Sequence, residues 1–528
     1  MKKILSLIIL VIIGCRMHAQ INDSLREDYI NEFGNFKTGI QEEFNSFRAH
    51  NDSVFLEFLK DSWKEIEGKP NLIPEKPKPV LQPVFENRND SINRNDSING
   101  NGSINENDST NDSGSINESD NKNGNDSINE NDSTNENHSI IIPGSMPPSQ
   151  PGDSVTGYDE PMPEPKDVMY TNAITFYGSN IALPAYNISM PLLQGISKQS
   201  VSQFYLDAST SNLFRQLLTE IKAEAAVHGL NDWGYYLLLQ KVAGFYYTDN
   251  NNINTFLWAA LLMSGINVKL GFNTRNVYLL VPADVQLYRV SFTVGSDEYY
   301  LIGKSNLSPG ERLYVHQADY PGNSDRFTFL INSAPVFETK AVSIYINNDK
   351  TLKLTLNSNL IDFYKDYPPC DMSVYLNTPL SASVAKQLDN LFRDLLDDRS
   401  GDDRTSMLLR FVQKVIRYEA DATYFGHEKY QFAEEVLKNG TGDCEDRTAL
   451  LAALLNRYTN HHLIGLCYPD HVTLGVSLSA CKDCTPVVYQ NRTYYHCDPT
   501  YLGAGCGKVM PSVEGKSPKI IKILNHEH

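Results

Sequence analysis

The sequence predicts an α+β protein, with two related domains in tandem after an N-terminal helix and a disordered linker. Three observations carry this reading. Four motifs recur in the same order in the two halves of the C-terminal part, each half passes from helix-type to strand-type patterning, and the segment before them is too polar to build a core.

The 528-residue chain opens with Lys2 and Lys3 ahead of an apolar run over 4–13, a secretory signal pattern too short to span a bilayer. Cleavage after Ala19 makes residues 1–19 a signal peptide; lipoprotein processing at Cys15 is the alternative. Either route places the mature chain outside the cytoplasm, in the periplasm, at the cell surface or secreted.

Residues 24–67 read as an amphipathic helix. Phe33 and Phe36, Phe44 and Phe47, and Phe55 and Phe58 recur every eleven residues, which keeps an aromatic stripe on one face. Such a stripe suits oligomerisation or docking on a partner, or folding back onto the globular part.

Residues 68–165 read as linker. Pro70, Pro74, Pro77, Pro79 and Pro83 favour an extended spacer. Residues 88–140 then hold sixteen Asn, six Ile and no aromatic residue, so they cannot bury a core. With 11 acids and 3 bases they supply −8 of the net charge of −18. The remainder is mildly acidic, which argues against a general nucleic-acid partner. Asp-Ser/Thr-apolar triplets centred on Ser91, Ser97, Ser109, Ser127 and Ser133 resemble acceptor sites of bacterial O-glycosylation; simple duplication of Asn-Asp-Ser produces the same pattern.

The two predicted domains span 167–345 and 365–528. Asn212-Leu213-Phe214-Arg215-Gln216-Leu217-Leu218 recurs as Asn390-Leu391-Phe392-Arg393-Asp394-Leu395-Leu396, and Gln240-Lys241-Val242 as Gln413-Lys414-Val415. The apolar helix 255–262 matches 448–455 at six of eight positions, and Tyr299-Tyr300 matches Tyr494-Tyr495. In the second half, 450–458 has the character of a buried helix, whereas 463–468, 472–478 and 487–497 read as strands. Strand-like runs at 327–331 and 342–346 finish the first half or bridge the two.

The chemistry concentrates at Gly442-Asp443-Cys444-Glu445-Asp446-Arg447, directly before the apolar helix. A cysteine in the first helical turn faces the positive end of the dipole and unpaired amides, which should lower its pKa and bind a developing oxyanion. Downstream, His471 opens one strand and Asp498 closes another, so antiparallel pairing can bring imidazole and carboxylate together. Cys444, His471 and Asp498 are then nucleophile, base and orienting group, with Asp443, Glu445 and Asp446 in support. Such a triad requires neither cofactor nor metal.

These residues resemble the transglutaminase-like cysteine protease superfamily, with its order Cys, His, Asp on a papain-like core. The likeness covers about residues 405–515 and rests on Cys444, Asp446, His471 and the run Asp498-Pro499-Thr500-Tyr501. It implies acyl transfer through a thioester. One departure is Asp470, where secreted bacterial members usually carry Gly; a carboxylate there would raise the pKa of His471. Aligned on the repeats, the first half places Asn251, Asn276 and Gly303 opposite Cys444, His471 and Asp498, with the same 27-residue interval between the last two, so it reads as a copy without the chemistry.

Cysteine arithmetic adds a further expectation. Removal of Cys15 leaves seven, an odd number in an oxidising compartment. With Cys444 as the reactive thiol, Cys370, Cys467, Cys481, Cys484, Cys497 and Cys506 are candidates for disulfides; the last four could instead form a zinc site, although export favours bridges. The function expected is an exported cysteine hydrolase, a peptidase or amidase, acting on a peptide, protein or cell-envelope polymer. The alternatives are a cross-linking transamidase with the same triad, and a non-catalytic envelope scaffold or adhesin.

Overall fold

The computed structural model describes residues 63–70, 172–183, 190–303, 307, 310–317, 325–345 and 353–524. The signal peptide, the expected helix up to residue 62, the linker from 71 to 171 and the five candidate glycosylation serines lie outside the described residues. Helices and antiparallel sheets both contribute, as an α+β class requires. Among the described residues, no helix is long and apolar enough to cross a membrane.

The segment expected to end the N-terminal helix is instead a strand, β1 (Trp63–Glu67). The first lobe continues with the hairpin β2 (Asn172–Phe176) and β3 (Ser179–Leu183). Four helices follow: α1 (Lys198–Thr210), α2 (Asn212–Val227), α3 (Asp232–Tyr246) and α4 (Asn250–Met263). Polar side chains start them: Ser197, Ser211, Asn231 and Asp249 each accept a first-turn amide hydrogen bond. Then come β4 (Lys269–Phe272), β5 (Val277–Val281), β6 (Ser291–Val294), β7 (Asp297–Ile302) and β8 (Arg312–His316). The expected strand at 327–331 is a chain held by a single bridge from Phe327 to Ala283 rather than a ladder.

A hairpin of β9 (Ala341–Tyr345) and β10 (Lys353–Asn357), with the short helices α5 (Ser358–Lys365) and α6 (Met372–Asn377), leads into the second lobe. There α7 (Ala382–Leu396) and α8 (Gly401–Val415) precede β11 (Arg417–Tyr418), α9 (Asp421–Tyr424), α10 (Ala433–Asn439) and β12 (Thr441–Gly442). The central helix α11 (Cys444–Tyr458) is buried without a break from Cys444 to Asn456, its charged first turn included; the apolar run 449–455 suits such a position. The sheet comprises β13 (Leu463–Tyr468), β14 (His471–Val476), β15 (Val487–Tyr489), β16 (Arg492–Cys497) and β17 (Lys519–Lys522). The run expected as one strand over 487–497 is thus a hairpin turning at Gln490 and Asn491, both at positive φ.

The two sheets share one plan. Strand order β8-β4-β5-β7-β6 in the first lobe corresponds to β17-β13-β14-β16-β15 in the second, with an apolar helix, α4 or α11, before each sheet. Each sheet also buries a second cluster of its own, around Phe292 and Leu313 in one and Leu466 and Met510 in the other. The lobes are not independent domains, however. Their helical cores merge into one cluster that includes Leu238, Phe329, Phe363 and Leu451. Backbone bonds join them as well, from Tyr288 N–H to the Pro369 carbonyl (2.9 Å) and from Asp371 N–H to the Gln286 carbonyl (2.9 Å).

The segment containing β1 meets both edges of the first sheet. β1 pairs antiparallel with β8, Trp63 opposite His316, and Lys69 N–H donates to the Ser291 carbonyl of β6 (2.8 Å). Residues 68 and 69, expected as the start of the linker, thus belong to this lobe, and residues 63–69 close the sheet into a barrel. Trp63 packs on Phe272 (5.2 Å between centroids) and His316 (5.4 Å). Trp63→Ala is expected to destabilise the first lobe by about 2–3 kcal/mol, the scale of losing a half-buried aromatic. Chemical denaturation followed by lobe-specific proteolysis reads this directly; an unchanged midpoint would mean that the barrel holds without its closing strand.

Candidate active site

Local structure brings three predicted residues to one corner. Cys444 is the first residue of α11, His471 the first of β14, and Asp498 directly follows β16. A tight hairpin over Pro469 and Asp470 sets the start of β14, since Tyr468 pairs with His471. The pairing of Leu474 with Cys497 then delivers Asp498 to the same end of the sheet. Helix and sheet are tied there: the Thr448 hydroxyl lies 2.6 Å from the Cys444 carbonyl and 3.2 Å from that of Val472. Val472 N–H points at the Cys444 sulfur.

His471 is fully buried, and its Nε2 lies 2.7 Å from Asp498 Oδ2. Its Nδ1 has no hydrogen-bond partner. Asp498 Oδ1 accepts N–H groups from Thr500 (2.8 Å) and Tyr501 (3.1 Å). Burial pushes the Asp498 carboxyl up, but His471 and the two amides outweigh it, and the group titrates below the ordinary carboxylate range.

The thiol departs from the sequence expectation. Cys444 is 2% exposed and donates to Glu445 Oε2 at 2.8 Å. Burial first, then the Glu445 and Asp443 carboxylates, push its pKa well above the ordinary value. The helix dipole does not win because the first turn carries acids in a site closed to water. The Asp443 side chain makes no capping bond to the turn it precedes.

The supporting acids divide. Asp446 accepts Gln431 N–H at 2.8 Å and so positions the loop before α10. It also explains Gly442, where a Cβ would lie 2.6 Å from that of Asp446. Asp443 and Glu445 instead converge with Asp421 and Glu428, one carboxylate oxygen of each lying within 4.8 Å of the others. Asp421 Oδ1, Asp443 Oδ1 and Glu445 Oε1 are buried without hydrogen-bond partners. Burial is the leading cause that raises Asp421 to about 6, Glu445 to about 8 and Asp443 to about 10, and acidic neighbours add to it. Four hard oxygen donors of this kind could hold a calcium-like cation. The sequence reading missed the group because Asp421 and Glu428 are remote from the cysteine motif; their signal is the acidic spacing around Tyr424-Phe425-Gly426.

Two further residues escaped sequence reasoning. Arg447 is fully buried; burial lowers its pKa to about 10, while Asp498 opposes the fall. Its Nη2 donates to the Gln413 carbonyl (3.2 Å). Gln413 Nε2 in turn reaches the carbonyls of Asp498 (3.0 Å), Tyr501 (2.9 Å) and Ala504 (3.1 Å), which fixes the loop carrying Asp498. The Cys497–Cys506 disulfide brackets this loop, and Cys481–Cys484 staples a surface turn. Cys370 and Cys467, expected as disulfide candidates, are free thiols: Cys370 is buried against the Tyr375 hydroxyl and Cys467 sits within β13. Asp470 is held by Lys516 at 2.7 Å, so its carboxylate is engaged on the surface.

The first lobe repeats the scaffold with Asn251, Asn276 and Gly303 at the corresponding positions. Asn251 Oδ1 accepts Val277 N–H (2.9 Å), as Cys444 meets Val472 N–H, and Thr255 Oγ1 donates to the Asn251 carbonyl (2.7 Å), as Thr448 does to that of Cys444. Asn276 directly precedes β5, and Gly303 directly follows β7. No protein-family model matches the chain, and no curated protein matches its sequence.

Proposed function

We propose that this chain is an exported cysteine hydrolase of transglutaminase-like type that cleaves peptide or amide bonds. The observation that carries the reading is the buried His471–Asp498 pair, with His471 Nδ1 unpartnered, beside a cysteine at a helix N-terminus. In this mechanism His471 Nδ1 takes the Cys444 proton and the sulfur attacks the acyl carbon. The tetrahedral oxyanion faces amides at the start of α11, and the imidazolium returns the proton to the leaving amine. Water then resolves the thioester; an amine acceptor would give transamidation instead.

The buried thiol donating to Glu445 favours a second reading, a binding scaffold in which Cys444 is inert. Intact-mass kinetics with iodoacetamide at pH 7 separate the two. For an enzyme, Cys444 is modified before Cys370 and Cys467, and His471→Ala slows it by about 10- to 100-fold through loss of the base. Slow modification that His471→Ala leaves unchanged would establish the scaffold.

A further inference from the structure

A cavity of about 190 Å³ opens where the lobes meet, walled by Tyr288 of the first lobe, by Tyr364, Tyr367 and Tyr375 of the segment joining the lobes, and by Glu428 and Tyr430 of the second. Cavities near 150 Å³ hold a benzene-sized ring. The walls are fixed by ring contacts: Tyr375 meets Tyr430 edge-on (5.4 Å, 89°) and Phe432 at 4.6 Å, while Tyr364 stacks on Phe432 at 4.4 Å. The buried Tyr364 hydroxyl has no hydrogen-bond partner. Lys365 and Lys429 at the rim are bound to Asp362 (2.8 Å) and Glu435 (2.7 Å), and His427 lies beside them. A basic ligand would meet these three groups, and an acidic one would meet Glu428. A neutral ring suits the site best, because aromatic faces and edges pair favourably.

The cavity adjoins the catalytic corner. Glu428 lines it and also contributes an oxygen within 4.8 Å of one from Glu445, whose Oε2 lies 2.8 Å from Cys444 Sγ. These contacts put the Glu428 carboxylate within about 10 Å of Cys444 Sγ, a span that at most about three residues of extended chain cover. We propose that the interlobe cavity is a specificity subsite for an aromatic side chain of a peptide substrate, one or two residues from the acyl group presented to Cys444. The lobe lacking the chemistry then has a task, since Tyr288 is its contribution to the wall. The inference rests on the cysteine acyl-transfer reading.

Two sets of peptidyl vinyl sulfones, one varied only at the first residue before the warhead and one only at the second, test it on the whole mature chain, the set with the larger phenylalanine preference being the one scored. Phenylalanine, cyclohexylalanine, alanine and lysine probes are compared by the rate at which each modifies Cys444. The expected result is a phenylalanine rate at least tenfold above alanine and lysine and several-fold above cyclohexylalanine. In Tyr288→Ala the phenylalanine-to-alanine ratio should fall to about threefold or less. A wild-type ratio near one, or a ratio that survives Tyr288→Ala, overturns the proposal. Titrating N-acetylphenylalaninamide into Cys444→Ala by NMR reads the cavity without thiol chemistry. Binding that Tyr288→Ala in the same background weakens at least fivefold supports the subsite, and no binding refutes it. If no probe modifies Cys444 selectively, the acyl-transfer reading fails and this titration alone decides the cavity.

Discussion

In buffer stripped of divalent cations, Glu445→Gln is expected to melt above the wild type at pH 8 and level with it near pH 4.5. Glu445 sits with Asp421, Glu428 and Asp443 in a cluster of carboxylate oxygens, and burial raises its pKa from 4.5 to about 8. In the unfolded chain it ionises near its ordinary value. Between those two pH values the native state therefore holds a proton that the unfolded state has lost, and stability falls as pH rises through the window. The neutral amide removes that dependence and can still accept from the Cys444 thiol. A gain on the order of 2 kcal/mol at pH 8 is expected, equivalent to roughly 5 °C in midpoint. Millimolar calcium should narrow the gap by stabilising the wild type alone, because it replaces protons as the neutralising charge. Calorimetry at the two pH values is the measurement. A midpoint difference independent of pH would show that these carboxylates do not carry the charge assigned to them.

How far this site was legible in the sequence follows from which of its determinants are local. The helix beginning at Cys444 and the strands beginning near 463 and 472 stand out because their apolar periods are continuous. The interval from His471 to Asp498 places both at one sheet end once antiparallel pairing is assumed. Repeats such as Gln240 and Gln413 mark equivalent helices, although only Gln413 clamps the loop that carries Asp498. What could not be read is set by distant partners. Trp63-Lys64-Glu65-Ile66-Glu67 has too short a pattern to outweigh the phenylalanine repeat before it, and its pairing partner lies at residues 312–316. The thiol was misjudged for a similar reason. A helix N-terminus is visible in sequence, whereas closure of the site to water and the approach of Asp421 and Glu428 arise only on folding.

Asp498→Asn is expected to abolish the base function proposed for His471 while preserving the fold. Asp498 Oδ1 accepts two backbone N–H groups and Oδ2 faces His471 Nε2. An asparagine must keep its carbonyl oxygen toward the two amides, because an NH₂ group there would leave three donors opposed in a buried space. Its NH₂ then faces His471 Nε2, which has to become the acceptor. The imidazole proton moves to Nδ1, the nitrogen that must be free to take the thiol proton. Cys444 alkylation at pH 7 should therefore drop by about 100-fold, to the level of His471→Ala, the lower end of what a positioned general base contributes. Asp498→Ala should in addition cost about 3–5 kcal/mol relative to Asp498→Asn, since it leaves a fully buried imidazole and two loop amides unpaired. Comparing the two variants separates tautomer control from loop anchoring. Wild-type alkylation in Asp498→Asn would mean that His471 is not the base.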